Sequence, residues 1–312
     1  MNNIIFLVLS FFALVVAGYV AARVHILDAP GVVGINRFVY FFALPALLFN
    51  KMTESNFTRM IGESTFVLAH LVAGLVVLVL GWIAAKALFK ASGPNSAVMA
   101  LGGCYGNIGF LGIPLLVSVL GSGAAAPLSL MLLVDVAFFI PFATTLIHIS
   151  RSRDVRLRFF QTVLGPVAKN PLIVAIAVGF VFSATRLGLP GELAGFTNLL
   201  GQAAAPAAMF ALGAVLAGRP TSDGAGEAAL LSVLKLGVHP LVMWCAMTVF
   251  EVNAEWRLIA TLGAATPIAA ALFVIAQEHN AMPLRASTAV LMSTAVSLIT
   301  LPVLITWLVS AS

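Results

Sequence analysis

Charge is what this chain has least of. Only 9% of its 312 residues are charged, against 61% that are hydrophobic. Ordinary soluble domains carry about 25% charged residues, so a water-soluble globule is excluded. Cysteine is nearly absent too. Cys104 and Cys245 sit in separate apolar segments, which rules out a disulfide framework and a CxxC metal site and leaves two small buried core residues. Neither HExxH nor a GxSxG turn occurs. A two-aspartate intramembrane protease would need a partner for Asp135, the one aspartate deep in an apolar segment. An enzyme is therefore not expected, nor a metal or an organic cofactor. The net charge of +5 does not point to nucleic acid, because the basic residues are scattered through short loops instead of forming a patch. The lack of a repeated pore segment disfavours a channel.

What the chain has in abundance is apolar length. A bilayer-crossing helix needs about 20 mainly apolar residues, and ten such segments can be drawn: 3–22, 34–50, 65–86, 97–120, 127–147, 170–185, 195–217, 229–250, 257–278 and 287–309. The first has no basic flank before it and runs past signal-peptide length, so it reads as a retained helix. The seventh carries a small-residue run from Ala203 to Ala208. Small residues let helices approach closely in lipid, so this segment should pack against protein. Lysine and arginine set the orientation. With both termini outside, eleven of them face the cytoplasm and four (Lys51, Arg59, Arg186 and Arg257) face away, the densest stretch being Arg151 to Arg158. Positive charge favours the cytoplasmic side. The expectation is a multi-pass protein of the cytoplasmic membrane with periplasmic termini, its basic loop an orientation signal and a contact for lipid headgroups.

That loop, 151–168, divides the chain into halves of five segments, 1–150 and 169–312. Five is odd, so the second half starts from the opposite side and any internal repeat is inverted. Three correspondences support one: Pro45 with Pro206, Pro114 with Pro267, and His70 with His239. The expected fold is an all-α polytopic membrane protein of ten helices in two inverted five-helix repeats.

Segments four and nine are interrupted. Gly102-Gly103-Cys104-Tyr105-Gly106-Asn107-Ile108-Gly109-Phe110-Leu111-Gly112-Ile113-Pro114 breaks the first, and Gly263-Ala264-Ala265-Thr266-Pro267 breaks the second. Glycine weakens a helix interior and proline donates no hydrogen bond. Backbone groups freed at membrane depth are tolerated only inside protein or beside a wet cavity. Two broken helices that cross bring four helix ends together, a common plan for a secondary-transporter site. The expected substrate contacts are Gly106, Asn107, Gly109, Gly112, Pro114, Thr266 and Pro267. Helix N-termini favour a carboxylate and C-termini a cation, so the dipoles alone leave the sign of the cargo open. Asn107 and Thr266 offer neutral hydrogen bonds that would orient a carboxylate, although Asn107 can equally cap a broken helix.

An aspartate at mid-membrane costs at least about 2.5–3.5 kcal/mol, which marks Asp135 as a functional candidate. Lys235 in segment eight is the obvious partner of opposite sign, with His239 one turn on along the same face. If Asp135 and Lys235 are neighbours, they form either a proton-binding switch or a fixed ion pair that sets packing. His239 either joins them or satisfies the carbonyl freed by Pro240. His70 is a weaker candidate for the same cavity. His25, His148 and His279 fall at segment ends, and Glu278 is expected to be wet.

Four stretches resemble the auxin efflux carrier family in its bacterial branch: Asn36 to Phe49 in segment two, Gly106 to Pro114 in segment four, Lys235-Leu236-Gly237-Val238-His239-Pro240-Leu241 in segment eight, and Ala264-Ala265-Thr266-Pro267 in segment nine. Their order along nearly the whole chain is more specific than any one of them. The resemblance implies an architecture like that of bile-acid symporters and sodium–proton antiporters. In it, segments four and nine cross, and segments one, two, six and seven form a scaffold against which the rest moves in elevator fashion. It implies a homodimer through the scaffolds and organic-anion cargo: auxin in plants, malonate, malate and similar carboxylates in bacteria. Proton coupling, sodium coupling and uniport all stay open from the sequence, sodium the less favoured because few oxygen ligands lie near the crossing. The rivals are a cation transporter or bile-acid-type symporter of the same fold, and, outside transport, a membrane receptor. The long hydrophilic middle loop of many plant members is missing, so regulation through it does not carry over.

Overall fold

The computed structural model describes residues 2–55, 64–151, 169–185, 188–218 and 224–311, and these are helical apart from turns and one isolated backbone bridge. Arg59, Arg186, Arg219 and the basic loop beyond Arg151 lie outside the described residues. The helices are α1 (Asn2–Arg23), α2 (Ala29–Glu54), α3 (Ser64–Phe89), α4 (Gly93–Cys104), α5 (Ile108–Leu120), α6 (Ser122–Ile149), α7 (Pro171–Thr185), α8 (Gly191–Ala217), α9 (Ala225–Val249), α10 (Ala254–Ala264), α11 (Ala271–Glu278) and α12 (Pro283–Ala311). They fall on the ten apolar segments within a few residues at each end, the fourth and ninth each split in two. Among the described residues, six helices are long and apolar enough to cross a membrane. Side chains cap several starts: Asp28 accepts from the Gly31 amide at 2.8 Å before α2, and Asn253 accepts from the Trp256 amide at 2.9 Å before α10.

Four turns are widened to the i→i+5 pattern: Val39–Ala43 in α2, Ile108–Gly112 opening α5, Asp135–Phe139 in α6 and Leu234–Val238 in α9. Each is followed, two residues after it ends, by a proline: Pro45, Pro114, Pro141 and Pro240. A proline inside a helix has no N–H to give, and its ring crowds the carbonyl four residues back. One extra residue in the preceding turn removes that clash without ending the helix. Asp135 and Lys235 both stand on such turns.

The described residues form two compact units, one within 1–64, 109–130 and 168–219, the other within 65–108, 131–167 and 220–312. Each unit draws on both halves of the chain. In the first, α1 lies against the second part of α8 so closely that a Cβ on Gly18 would sit 1.9 Å from the Phe210 carbonyl oxygen, and one on Gly213 1.8 Å from that of Val15. Ala204 and Ala208 are fully buried. The small-residue segment thus packs on protein as expected, and its partner is this chain's own α1. Thr197 of α8 donates to Asn50 of α2 at 2.7 Å, a buried polar clasp. In the second unit, α9 packs on α10 and α12, α4 on α6, and α11 on α12. One expectation fails at the residue level: Cys104 is buried but Cys245 is exposed, on the outward side of α9.

Candidate functional site

The site lies wholly in the second unit. The unwound part of the fourth segment is only residues 105–107, and that of the ninth is 265–270. The glycine-rich stretch thus holds two half-helices that meet at a short unwound point. Gly102 and Gly103 are helical, and at Gly102 a Cβ would lie 2.9 Å from Leu272 and 3.3 Å from Leu231. Gly109, Gly112 and Pro114 likewise lie in α5, which belongs to the first unit apart from Ile108, and add no polar side chain.

The two breaks are hydrogen-bonded to each other. The Asn107 amide donates to the Pro267 carbonyl at 2.8 Å and the Ala269 amide to the Tyr105 carbonyl at 3.2 Å, so Gly106 and Ile268 face one another in an antiparallel bridge. This is the crossing, and it satisfies backbone groups that two broken helices would otherwise leave bare. The Ile268 amide is taken by Ser293 of α12 at 3.2 Å. The C-terminal carbonyls of α10 are also occupied: the Thr266 hydroxyl donates to Gly263 at 2.7 Å, and the Lys235 ammonium donates to Ala264. A cation is favourable at a helix C-terminus.

Gly106 shows why glycine is needed here. A Cβ would lie 2.6 Å from Thr266 Oγ1 and 3.0 Å from Lys235 Nζ. Lys235 is fully buried and reaches the crossing from its widened turn. Besides Ala264 it meets His239 Nδ1 at 3.1 Å. Lysine has donors only, so that nitrogen of His239 accepts, and the ring's proton is placed on Nε2. The contact between Asp135 and Lys235, on which both sequence readings of the pair depend, is not formed. Asp135 pairs with His70, Oδ1 to Nε2 at 2.9 Å, both side chains almost fully buried. The short histidine comes directly from α3, while the lysine side chain is held by the α10 carbonyl. His239 does not bond the carbonyl freed by Pro240 but serves Lys235. Four buried polar atoms of this cluster have no hydrogen-bond partner: Asn107 Nδ2, Asp135 Oδ2, His70 Nδ1 and His239 Nε2. No group of three or more metal-ligating side chains occurs among the described residues.

The arrangement offers a buried cation with neutral partners, an amide N–H pair without an acceptor, and a separate acid–imidazole dyad. Sequence reasoning placed Lys235, His239, Asn107 and Thr266, undervalued His70, and missed Ser293 and the Ala264 carbonyl. Nothing in the chain's periodicity marks the last two.

The profile of a family described as membrane transport protein matches residues 3–305. A proposed malonate transporter of Rhizobium meliloti (strain 1021) is 30% identical over 304 residues, 96% of this chain and 94% of that protein. The uncharacterized transporter YfdV of Escherichia coli (strain K12) is 26% identical over 274 residues, 87% of each chain. The probable auxin efflux carrier component 5c of Oryza sativa subsp. japonica is 30% identical over 162 residues, 49% of this chain and 43% of that one.

Proposed function

Because this chain belongs to the auxin efflux carrier family of membrane transport proteins, we propose that it is a secondary carrier of small organic anions across the cytoplasmic membrane. The cargo is a mono- or dicarboxylate such as malonate or malate, or an auxin-like weak acid. It is bound by alternating access at the crossing of the fourth and ninth segments. One observation carries the sign of the cargo: Lys235 is fully buried, and the groups it touches are a carbonyl and a neutral imidazole nitrogen. A buried ammonium needs a counter-charge, and a carboxylate at the crossing supplies it, with the free Asn107 amide N–H donating to the same group. Gly106 and Thr266 shape the floor, and Pro267 fixes it through the bridge. Gly109, Gly112 and Pro114 act through the backbone that opens α5. Asp135, paired with His70, is the buried carboxylate on which proton coupling depends.

In this reading the ten segments are two inverted repeats, both termini are periplasmic, and segments one, two, six and seven are the scaffold. An elevator-like displacement carries the other segments. The scaffold also carries the homodimer, but the small-residue face of α8 is already covered by α1. The seam therefore needs another surface.

The test is counterflow of labelled malonate, malate and indole-3-acetate into proteoliposomes, with and without a pH gradient, for the wild type, Lys235→Met and Asp135→Asn. Saturable exchange of one anion that Lys235→Met abolishes supports the site. Exchange that follows the pH gradient in wild type and not in Asp135→Asn supports proton coupling. Folded protein that exchanges none of the three would return the chain to the cation-transporter reading.

A further inference from the structure

We propose that His70, with Asp135 as its fixed counter-ion, is the proton-binding site of this carrier, and that the proton enters at His70 Nδ1. The inference rests on the anion-carrier reading for what the proton accompanies, but the site itself is argued from the dyad.

The ring is held in one orientation. Its Nε2 lies 2.9 Å from Asp135 Oδ1, and Phe139 packs edge-on against it with centroids 5.9 Å apart. Phe139 is itself seated in the space left by Gly74, one turn along from His70, where a Cβ would lie 2.2 Å from the phenyl ring. With Asp135 ionised, its carboxylate can only accept, so Nε2 carries the N–H and the lone pair is on Nδ1. That nitrogen is buried and without a partner, as is Asp135 Oδ2. The dyad therefore has one vacant basic nitrogen beside a carboxylate that already faces the ring. Adding a proton at Nδ1 makes an imidazolium that keeps its bond to Asp135. No other bond has to break.

Charge arithmetic gives the coupling. Without cargo, an ionised Lys235 and an ionised Asp135 cancel, and a neutral His70 leaves the cluster at zero. An entering carboxylate makes it negative in a medium that stabilises charge poorly. Protonation of His70 restores neutrality for a monoanion and halves the excess for a dianion. The other ionisable groups about the dyad are Lys235 and His239 on α9 and Cys104 on α4. His239 Nδ1 already faces the Lys235 ammonium, so a proton there would stand against a like charge. Lys235 is engaged by Ala264 and His239, and the thiol cannot gain positive charge. His70 is the group beside a carboxylate. The movement is thus one proton with each anion.

The proton site is read first without any cargo. In full-length protein in nanodiscs labelled with 15N-histidine, the His70 resonances, assigned by their loss in His70→Gln, should show Nε2 protonated throughout and Nδ1 gaining a proton as pH is lowered. Calorimetry of malonate binding in buffers of different ionisation heat should then find uptake of close to one proton per malonate in wild type and none in His70→Gln. Glutamine can still donate to Asp135, so affinity measured at high pH should stay within about threefold, less than the factor of ten that 1.4 kcal/mol represents. His70→Asn, with a shorter amide, serves as the second variant should the first not fold. A His70 Nδ1 that stays unprotonated down to pH 5 overturns the proposal, as does undiminished proton uptake in His70→Gln. If Nδ1 titrates but malonate neither binds nor exchanges, the proton site stands and the carboxylate reading falls.

Discussion

At the scale of single residues the crossing is a problem of space and counter-charge. Gly106 is confined by Thr266 Oγ1 and Lys235 Nζ, and forcing a methyl into a filled site costs about 1–3 kcal/mol. Gly106→Ala should therefore push the ammonium off the crossing and reduce anion exchange about tenfold or more, while the protein still reaches the membrane and elutes as folded. Proteoliposome exchange beside size-exclusion profiles would check this. Lys235→Met keeps the bulk and removes the charge. A hydrogen bond to a charged group is worth about 1.5–3 kcal/mol, so malonate binding by calorimetry should weaken by about 10- to 100-fold. What the sequence disclosed at this scale was uneven. Lys235 and His239 were legible as a pair because i,i+4 spacing on one helix is a local fact. The partner of Asp135 was not, because His70 is 65 positions away and only tertiary packing decides whether a carboxylate meets a histidine or a lysine.

At the scale of elements the widened turns decide where side chains point. One extra residue in a turn shifts everything beyond it by about 100° relative to a regular helix. Lys235 is inside such a turn, and the proline that calls for it is Pro240. Pro240→Ala removes the reason for the turn and should let α9 wind regularly. Thermal stability should be unchanged or higher, while transport falls as Lys235 rotates away from Ala264; melting and uptake on the same preparation would show both. Helix positions and the two breaks were legible from apolar length and from Gly and Pro. The extent of the breaks was not, since glycine has two uses. At Gly102 it admits neighbouring leucines, and at Gly106 it admits a lysine. Close approach also rules α1 against α8. Gly213→Leu would place a side chain where the Val15 carbonyl already is, and the melting temperature in detergent should drop by several degrees or the protein should fail to accumulate.

At the scale of the whole molecule, pH also acts at the ends of the apolar segments. His279, just past α11, is held below the ordinary histidine range, first by burial and then by His148, whose ring is 5.1 Å away. Arg151 also donates to the His279 carbonyl. The folded state thus resists a proton that the unfolded chain accepts, and stability contributed by the neutral ring declines as pH falls through about 6.5. His279→Gln should flatten that part of the stability-versus-pH curve, measured by thermal melts from pH 8 to pH 5, with transport at pH 8 unaffected. The two-unit organisation was less legible than either end. Each unit is assembled from separated stretches of chain, and the composition of a segment does not say which of two apolar neighbours it joins.

The bridge between the breaks has a consequence for which ion can be carried along. A sodium ion needs several oxygens at once, and unwound backbone is where membrane carriers commonly find them. Here the carbonyls of Tyr105, Gly263, Ala264 and Pro267 each already accept a hydrogen bond from within the protein. Each of these oxygens keeps at most one further lone pair, so an ion at the crossing would meet carbonyls whose direction the existing bonds already fix. The proton proposed for His70 asks for one nitrogen lone pair and involves none of them.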